Sequence, residues 1–176
     1  MPNWVNNIII IRTNNKEAII KFLKRHIKDE RFDFNTVIPE PETEADCPDE
    51  YNLNKTKFDV GLEHEPDREW FNWYNWRIDN WGTKWNSFDK LYIDYGKIIE
   101  AENFIEIKIN FQTAWSAPFP VFKKLLEMYS NLSDAMGLEM VYYSTENGEC
   151  GEVFMLRGEV CHSRWEFESS IEEILK

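Results

Sequence analysis

Residues 8–11 are four consecutive isoleucines, set between Asn7 and Arg12. β-Branched side chains are stiff at χ1 and pack well on a pleated surface, so the run reads as a strand. It lacks polar alternation, which predicts burial on both faces, in the middle of a sheet and under helices. The rest of the chain must then supply strand partners and covering helices. Ile19, Phe22, Leu23 and Ile27 fall on one side of a helix expected over about 15–30, with Lys16, Lys21, Lys24 and Lys28 on the other. Asn14 and Glu17 are spaced as a capping box at its start.

Further along, Leu91, Ile93 and Tyr95 alternate with polar neighbours, as do Ile105, Ile107, Ile109 and Phe111 with Glu106, Lys108, Asn110 and Gln112. Both segments read as half-buried strands. Ser116 is placed to cap a second helix, with Pro118 and Pro120 in its first turn, where missing N–H groups cost least. Val121, Phe122, Leu125 and Tyr129 mark the buried side of that helix. Leu138–Thr145 and Cys150–Val160 are strand-like, and Asn147-Gly148 between them is a strong hairpin signal. Trp165 and Phe167 extend the chain, and Ser169 or Ser170 can cap a short final helix. The order predicts an α+β fold, a ferredoxin-like βαββαβ sandwich with both helices on one sheet face. To this it adds a long insertion carrying an aromatic helix and an extra C-terminal hairpin strand. A chain of 176 residues fits one domain, 1–176, with the insertion over 32–86.

The insertion has two parts. Between 40 and 67 stand ten Asp or Glu against two Lys, a net −8 out of −12 for the chain, with prolines that break any long period. This part reads as a solvated loop, with an acidic lid as the alternative. Residues 69–85, EWFNWYNWRIDNWGTKW, then hold five of the eight tryptophans. Trp70, Trp73, Tyr74, Arg77 and Trp81 share one face of a helix expected over about 67–80, and Gly82 is placed to end it. Each indole buries roughly 150–250 Å², so the cluster serves either as a satellite core or as a binding surface. The candidate ligand- or partner-binding residues are Trp73, Trp76, Arg77, Asp79, Lys84 and Trp115: aromatic walls beside one carboxylate and two cations, a set suited to a small polar ligand. The alternative is that Arg77 and Lys84 stack on indoles as internal cation–π contacts.

Composition limits the functions to consider. The chain is 43% hydrophobic and 15% aromatic, as in a globular domain. A net charge of −12 argues against a broad nucleic-acid surface. No apolar run approaches the roughly 20 residues of a membrane span, and the N-terminus lacks the marks of a signal peptide. Cys47, Cys150 and Cys161 are odd in number and widely spaced, which fits a reduced, cytoplasmic protein. Cys161 and His162 alternate on a strand and point to opposite faces, so no metal site is expected. No nucleotide, zinc-protease or nucleophile-elbow motif occurs, and no cofactor is implied.

Several stretches carry a family resemblance: MPNWVNNIII, NTVIPEP at 35–41, WFNWYNWRIDNWGTKWN at 70–86, FQTAWSAPFPVFKKLLEMYSNL at 111–132 and NGECGEVF at 147–154. With them the chain resembles the YubB-like ferredoxin-like domain proteins of bacterial plasmids and phages. The resemblance implies a fold and a mobile-element setting, and no catalytic residues. It suggests a left-handed φ at Gly82, with Trp4, Trp81 and Trp115 packed where the helix returns to the sheet.

Three functions stay open. The leading one is a non-enzymatic binding or interaction protein of mobile-element origin, with a protein partner or a small ligand. The second is a small-ligand receptor or enzyme around Trp76, Arg77, Asp79 and Lys84. The third is a single-stranded nucleic-acid binder using the exposed sheet face, where Glu106, Lys108 and Asn110 are expected without an aromatic pattern. Oligomeric state leaves no mark in the sequence.

Overall fold

The computed structural model describes residues 3–55, 68–94, 105–129, 137–144, 148–156 and 159–166. The elements are β1 (Trp4–Thr13), α1 (Lys16–His26), β2 (Ile27–Lys28), β3 (Arg31–Phe32), α2 (Trp73–Trp81), β4 (Phe88–Asp94), β5 (Ile105–Ala114), α3 (Phe119–Tyr129), β6 (Gly137–Ser144), β7 (Glu149–Leu156) and β8 (Glu159–Glu166). β2 and β3 form a small separate hairpin, and the other six strands form one antiparallel sheet of order β4-β5-β1-β6-β7-β8. Its first four strands, with α1 after β1 and α3 after β5, are the ferredoxin-like βαββαβ unit.

The four-isoleucine strand is central, but among the described residues only one of its faces lies under helices. Val5, Ile9 and Ile11 point into the helix-side core with Ile107, Ile109 and Phe111 of β5, Met140 and Tyr142 of β6, and Phe122 of α3. Ile10 is buried on the opposite face, where no helix lies above it among the described residues. It lies between Lys108 and Glu139 on the flanking strands, beside the Arg12 ion pairs to Glu106 and Glu139. The apolar stems of such long charged side chains cover neighbouring surface, so a run of isoleucines does not require a second helical layer.

Local chemistry shifts several element boundaries. β1 runs through Thr13, so the cap of α1 is Asn15, not Asn14: Asn15 Oδ1 accepts from the N–H groups of Glu17 (3.0 Å) and Ala18 (3.2 Å). Glu17 is then too early in the helix to complete a capping box. α1 stops at His26 and not near 30, because the chain reverses through Asp29 and Glu30, both at positive φ, and returns Phe32 and Phe34 to the core. Ser116 does not cap α3. The Phe122 N–H donates to the Pro118 carbonyl at 3.1 Å, and Pro118 holds the cap position. α2 starts at Trp73 under an Asn72 cap. Trp70 lies outside it, and Phe71 is buried in a bridge with Asn52. The run Cys150–Val160 is two strands, β7 and β8, so the sheet gains two strands beyond the ferredoxin-like four.

In the described part of 40–67, residues 42–46, 48–50, 54 and 55 are exposed, as in a solvated loop, while Pro41, Cys47 and Asn52 are buried and anchor it, and the stretch before it is packed. Phe32 packs tilted against Phe111 at 5.3 Å and Phe34 meets it edge-on at 6.0 Å, Trp81 meets Phe34 edge-on at 5.7 Å, and Val37 and Cys47 are buried beside them. Its acids are used in part internally. Glu40 is nearly buried and takes ion pairs from both Arg68 and Arg77. The stretch 56–67, the residue Tyr95 and the segment from 167, with its expected short helix, lie outside the described residues.

Candidate functional site

The tryptophan-rich helix turns most of its rings inward. Trp81 is 0% and Trp76 4% exposed, and they meet edge-on at 5.5 Å. The Trp81 indole N–H donates to the Ile38 carbonyl at 2.8 Å, which removes the polar cost of burying it. Arg77 lies over Trp73 and Trp81, at 4.8 and 5.2 Å, while its guanidinium pairs with Glu40. Asp79 points elsewhere, accepting from the Tyr51 hydroxyl at 3.0 Å. The structure therefore brings Trp73, Arg77, Lys84 and Trp115 into neighbouring contacts, with Trp76 behind them and Asp79 apart. Lys84 Nζ stands 4.9 Å from the Trp85 ring, 5.4 Å from Trp115, 5.7 Å from Tyr74 and 5.9 Å from Trp73. The protein's own ammonium thus occupies this aromatic enclosure.

The turn after α2 is fastened to the β5–α3 connection. Gly82 has φ +78, and a Cβ there would come within 2.8 Å of Pro120 Cδ, so both conformation and space call for glycine. Ser116 Oγ donates to the Gly82 carbonyl, and Thr83 Oγ1 donates to the Ala114 carbonyl at 2.8 Å. WGTKW and TAWSAPFP, the two most distinctive motifs in the sequence, are each other's contact surface. Trp115 belongs to this junction with φ +69, a rare conformation for a bulky residue that costs about 1–3 kcal/mol. Its N–H donates to the Asn3 carbonyl at 2.7 Å. Trp4 and Trp115 do come together, but through Trp85 and not through Trp81, which is committed to the core. Ring centroids run Trp115 to Trp85 at 6.5 Å, Trp85 to Trp4 at 6.5 Å and Trp4 to Phe88 at 4.4 Å.

This ladder leads onto the sheet face that, among the described residues, no helix covers. Strand register places Phe88, Gln112, Asn6 and Tyr143 opposite one another on β4, β5, β1 and β6. Tyr92 and Asn110 sit in the next row. Four residues of β4 span two of β5 at this point, an irregularity that delivers both Phe88 and Tyr92 to the open face. Phe88 is 44% and Tyr92 69% exposed. Together these residues line a depression of about 210 Å³. Gln112 Nε2 donates to Asn6 Oδ1 at 2.9 Å, and Asn110 Nδ2 donates to the Tyr92 carbonyl at 3.0 Å. Glu106, Lys108 and Asn110 do occupy this face, but its lack of aromatic rings was an artefact of reading one strand at a time. The rings come from neighbouring strands. Tyr92 stands on the apparently polar phase of the Leu91, Ile93, Tyr95 alternation, which hides it in the sequence. An aromatic in that phase was the available signal.

The two described histidines, His26 and His162, are tied to packing. His26 is fully buried among Phe22, Phe32 and Tyr129. Thr36 Oγ1 gives its proton to the Asp33 carbonyl, so it accepts from His26 Nδ1–H at 2.7 Å, and Nε2 accepts from the Tyr129 hydroxyl at 2.8 Å. Burial, aided by Arg25, pushes the His26 pKa down to about 4. Nε2 of His162 lies 2.9 Å from the Tyr142 hydroxyl on the helix side of β8, while Cys161 faces the other way. No three His, Cys, Asp or Glu side chains converge as a metal set among the described residues, and no helix there is long and apolar enough to cross a membrane.

Comparison with known proteins bears out the fold. The crystal structure of protein Api92 from Yersinia pseudotuberculosis superposes with a TM-score of 0.53, covering 94% of this chain and 98% of that one at 9% sequence identity. At that identity the likeness concerns fold alone. Curated proteins offer no match. Residues 80–174, from the last turn of α2 through β8, match the family model described as the ferredoxin-like domain in Api92-like protein. The chain belongs to this family of ferredoxin-like domains.

Proposed function

We propose that the protein is a non-enzymatic binding protein whose recognition surface is the helix-free sheet face around Phe88, Tyr92 and Tyr143. The observation that carries this reading is the pair of exposed rings on β4 standing beside a row of side-chain amides. Soluble domains usually keep such rings covered or use them. Binding is favoured over turnover because none of the described residues lining the depression is a carboxylate, histidine, lysine or cysteine, the usual groups for acid–base or nucleophilic work. Trp115 and Lys84, at the far end of the ladder, form the rim of the surface; Trp73, Trp76, Arg77 and Asp79 support it from behind. The three thiols, none of them in a disulfide, suit a cytoplasmic setting, and the resemblance to YubB-like proteins supports a role in phage or plasmid biology.

The test is chemical-shift mapping of the full chain with a mixed fragment library. Shifts confined to Asn6, Phe88, Tyr92, Asn110, Gln112 and Tyr143 are expected. Shifts confined instead to α2, around Trp76 and Asp79, would overturn the reading and return the site to the tryptophan-rich helix.

A further inference from the structure

We infer that the depression on the helix-free face takes an uncharged planar heterocycle with adjacent donor and acceptor atoms, the chemistry of a free nucleobase or nucleoside. This rests on the binding reading above and narrows it to one class of ligand.

Four aligned residues carry the inference: a ring, two amides and a ring, from Phe88 through Gln112 and Asn6 to Tyr143 across four adjacent strands. The two amides share one hydrogen bond, Gln112 Nε2 to Asn6 Oδ1. Among the described residues no other side-chain bond engages them. The Asn6 NH₂ group and the Gln112 carbonyl therefore remain, one donor beside one acceptor. Flipping both amides reverses the shared bond and still leaves one of each, so the pattern does not depend on how nitrogen and oxygen are assigned. Such a pair complements a lactam or amino-imine edge, and amide side chains read base edges in this way. Phe88 is held by Trp4 at 4.4 Å, a rigid wall for a flat ring, and stacking on aromatic side chains is the usual companion of edge recognition.

Size and charge limit the ligand further. A depression of about 210 Å³ is smaller than the roughly 300–1,000 Å³ of drug-sized sites, so it suits one ring system. Among the described residues no charged side chain lines it, and the chain carries a net −12. Phosphate would meet this net negative charge with no compensating cation among the described lining residues, so the free base or nucleoside is favoured over a nucleotide or a strand.

The experiment follows the side-chain amide resonances of Asn6, Asn110 and Gln112 in the full chain during titration with uridine, cytidine, adenosine and guanosine. Uridine methylated at N3, uridine monophosphate and a short oligouridylate are run beside them. Saturable shifts are expected with at least one nucleoside. Uridine affinity should fall about tenfold or more on N3 methylation, the size of one lost edge contact, and fall again on phosphorylation. Gln112→Leu should cost a similar factor, and the methylated ligand makes the same point on the unaltered protein if that variant fails to fold. Absence of any nucleoside shift, with other fragments binding the face, would overturn the ligand class and leave the binding reading standing. A face that binds nothing would overturn both. Tighter binding of oligouridylate than of uridine would overturn the free-nucleoside assignment in favour of a nucleic-acid strand.

Discussion

Two aromatic clusters stand on opposite sides of one sheet. On the helix side, Trp73, Trp76 and Trp81 are packed with Phe34 and Phe71, and Arg77 beside them is paired with Glu40. On the open side, Phe88, Tyr92 and Tyr143 are spaced among amides, with two of the three largely in water. The first cluster is dense in sequence and hidden in space. The second is scattered over more than fifty residues and assembled only by strand register. Local density of indole marks surface to be buried, since neighbours on one short helix share one side and collapse together. An accessible set of rings needs a scaffold to hold it apart, which a sheet supplies and a nine-residue helix does not.

The largest expected effect breaks the comparison at its hidden end. Trp81→Ala removes a fully buried indole and its bond to Ile38 and should cost about 3–5 kcal/mol, read as a shift of the urea midpoint at constant slope. A loss below about 1 kcal/mol would mean that the cluster is not core. A second measurement uses pH. Between pH 6.5 and 4 the unfolded chain binds a proton at His26 that the folded protein does not. Stability from this group is therefore whole above pH 6.5, falls as pH drops and levels off below 4, a total of about 3 kcal/mol. Subtracting the profile of His26→Gln from that of the native chain isolates it; parallel profiles would place the imidazole in contact with water.

A smaller effect tests whether the acidic insertion belongs to the hidden side. Glu40 receives both Arg68 and Arg77, and Arg77 in turn covers Trp73 and Trp81. Glu40→Gln leaves two guanidinium groups short of an anion and should destabilise by about 1–3 kcal/mol. The same change should leave resonances of Asn6 and Gln112 in place, because the sheet lies between. Movement of those amides would couple the two clusters and undo their separation.

Much of the scaffold was legible because it depends on local periods. The alternation at Ile105–Phe111, the apolar side of α3 and the isoleucine run each report a side of one element. Gly82 announced its own conformation. The described insertion was not legible, since Phe34 and Val37 become core only when distant Phe111 and Trp81 arrive. The candidate site was less so. Alternation tells which residues share a face of a strand, yet not which strand lies alongside, so Phe88, Gln112, Asn6 and Tyr143 have no common signal until β4, β5, β1 and β6 are in register. Lys84 and Trp115 do lie side by side, whereas Asp79, two positions from Arg77, is carried away by the helical turn to Tyr51.

The smallest expected effect is at the open end. Tyr92 is 69% exposed, and the contact that fixes it, from Asn110 Nδ2, goes to its backbone carbonyl and survives truncation of the side chain. Tyr92→Ala should therefore change unfolding free energy by no more than about 0.5 kcal/mol, with an unaltered denaturant slope. A phenol standing in water at no benefit to folding is free to contact a ligand, so the same variant should lose the shifts that ligands induce at Gln112 and Asn6. If instead Tyr92→Ala costs more than about 1 kcal/mol, its ring is packing against the sheet as Trp81 packs beneath it, and the two clusters differ in position only. The pairing of an unchanged midpoint with a lost ligand response is what separates a recognition surface from a second, thinner core.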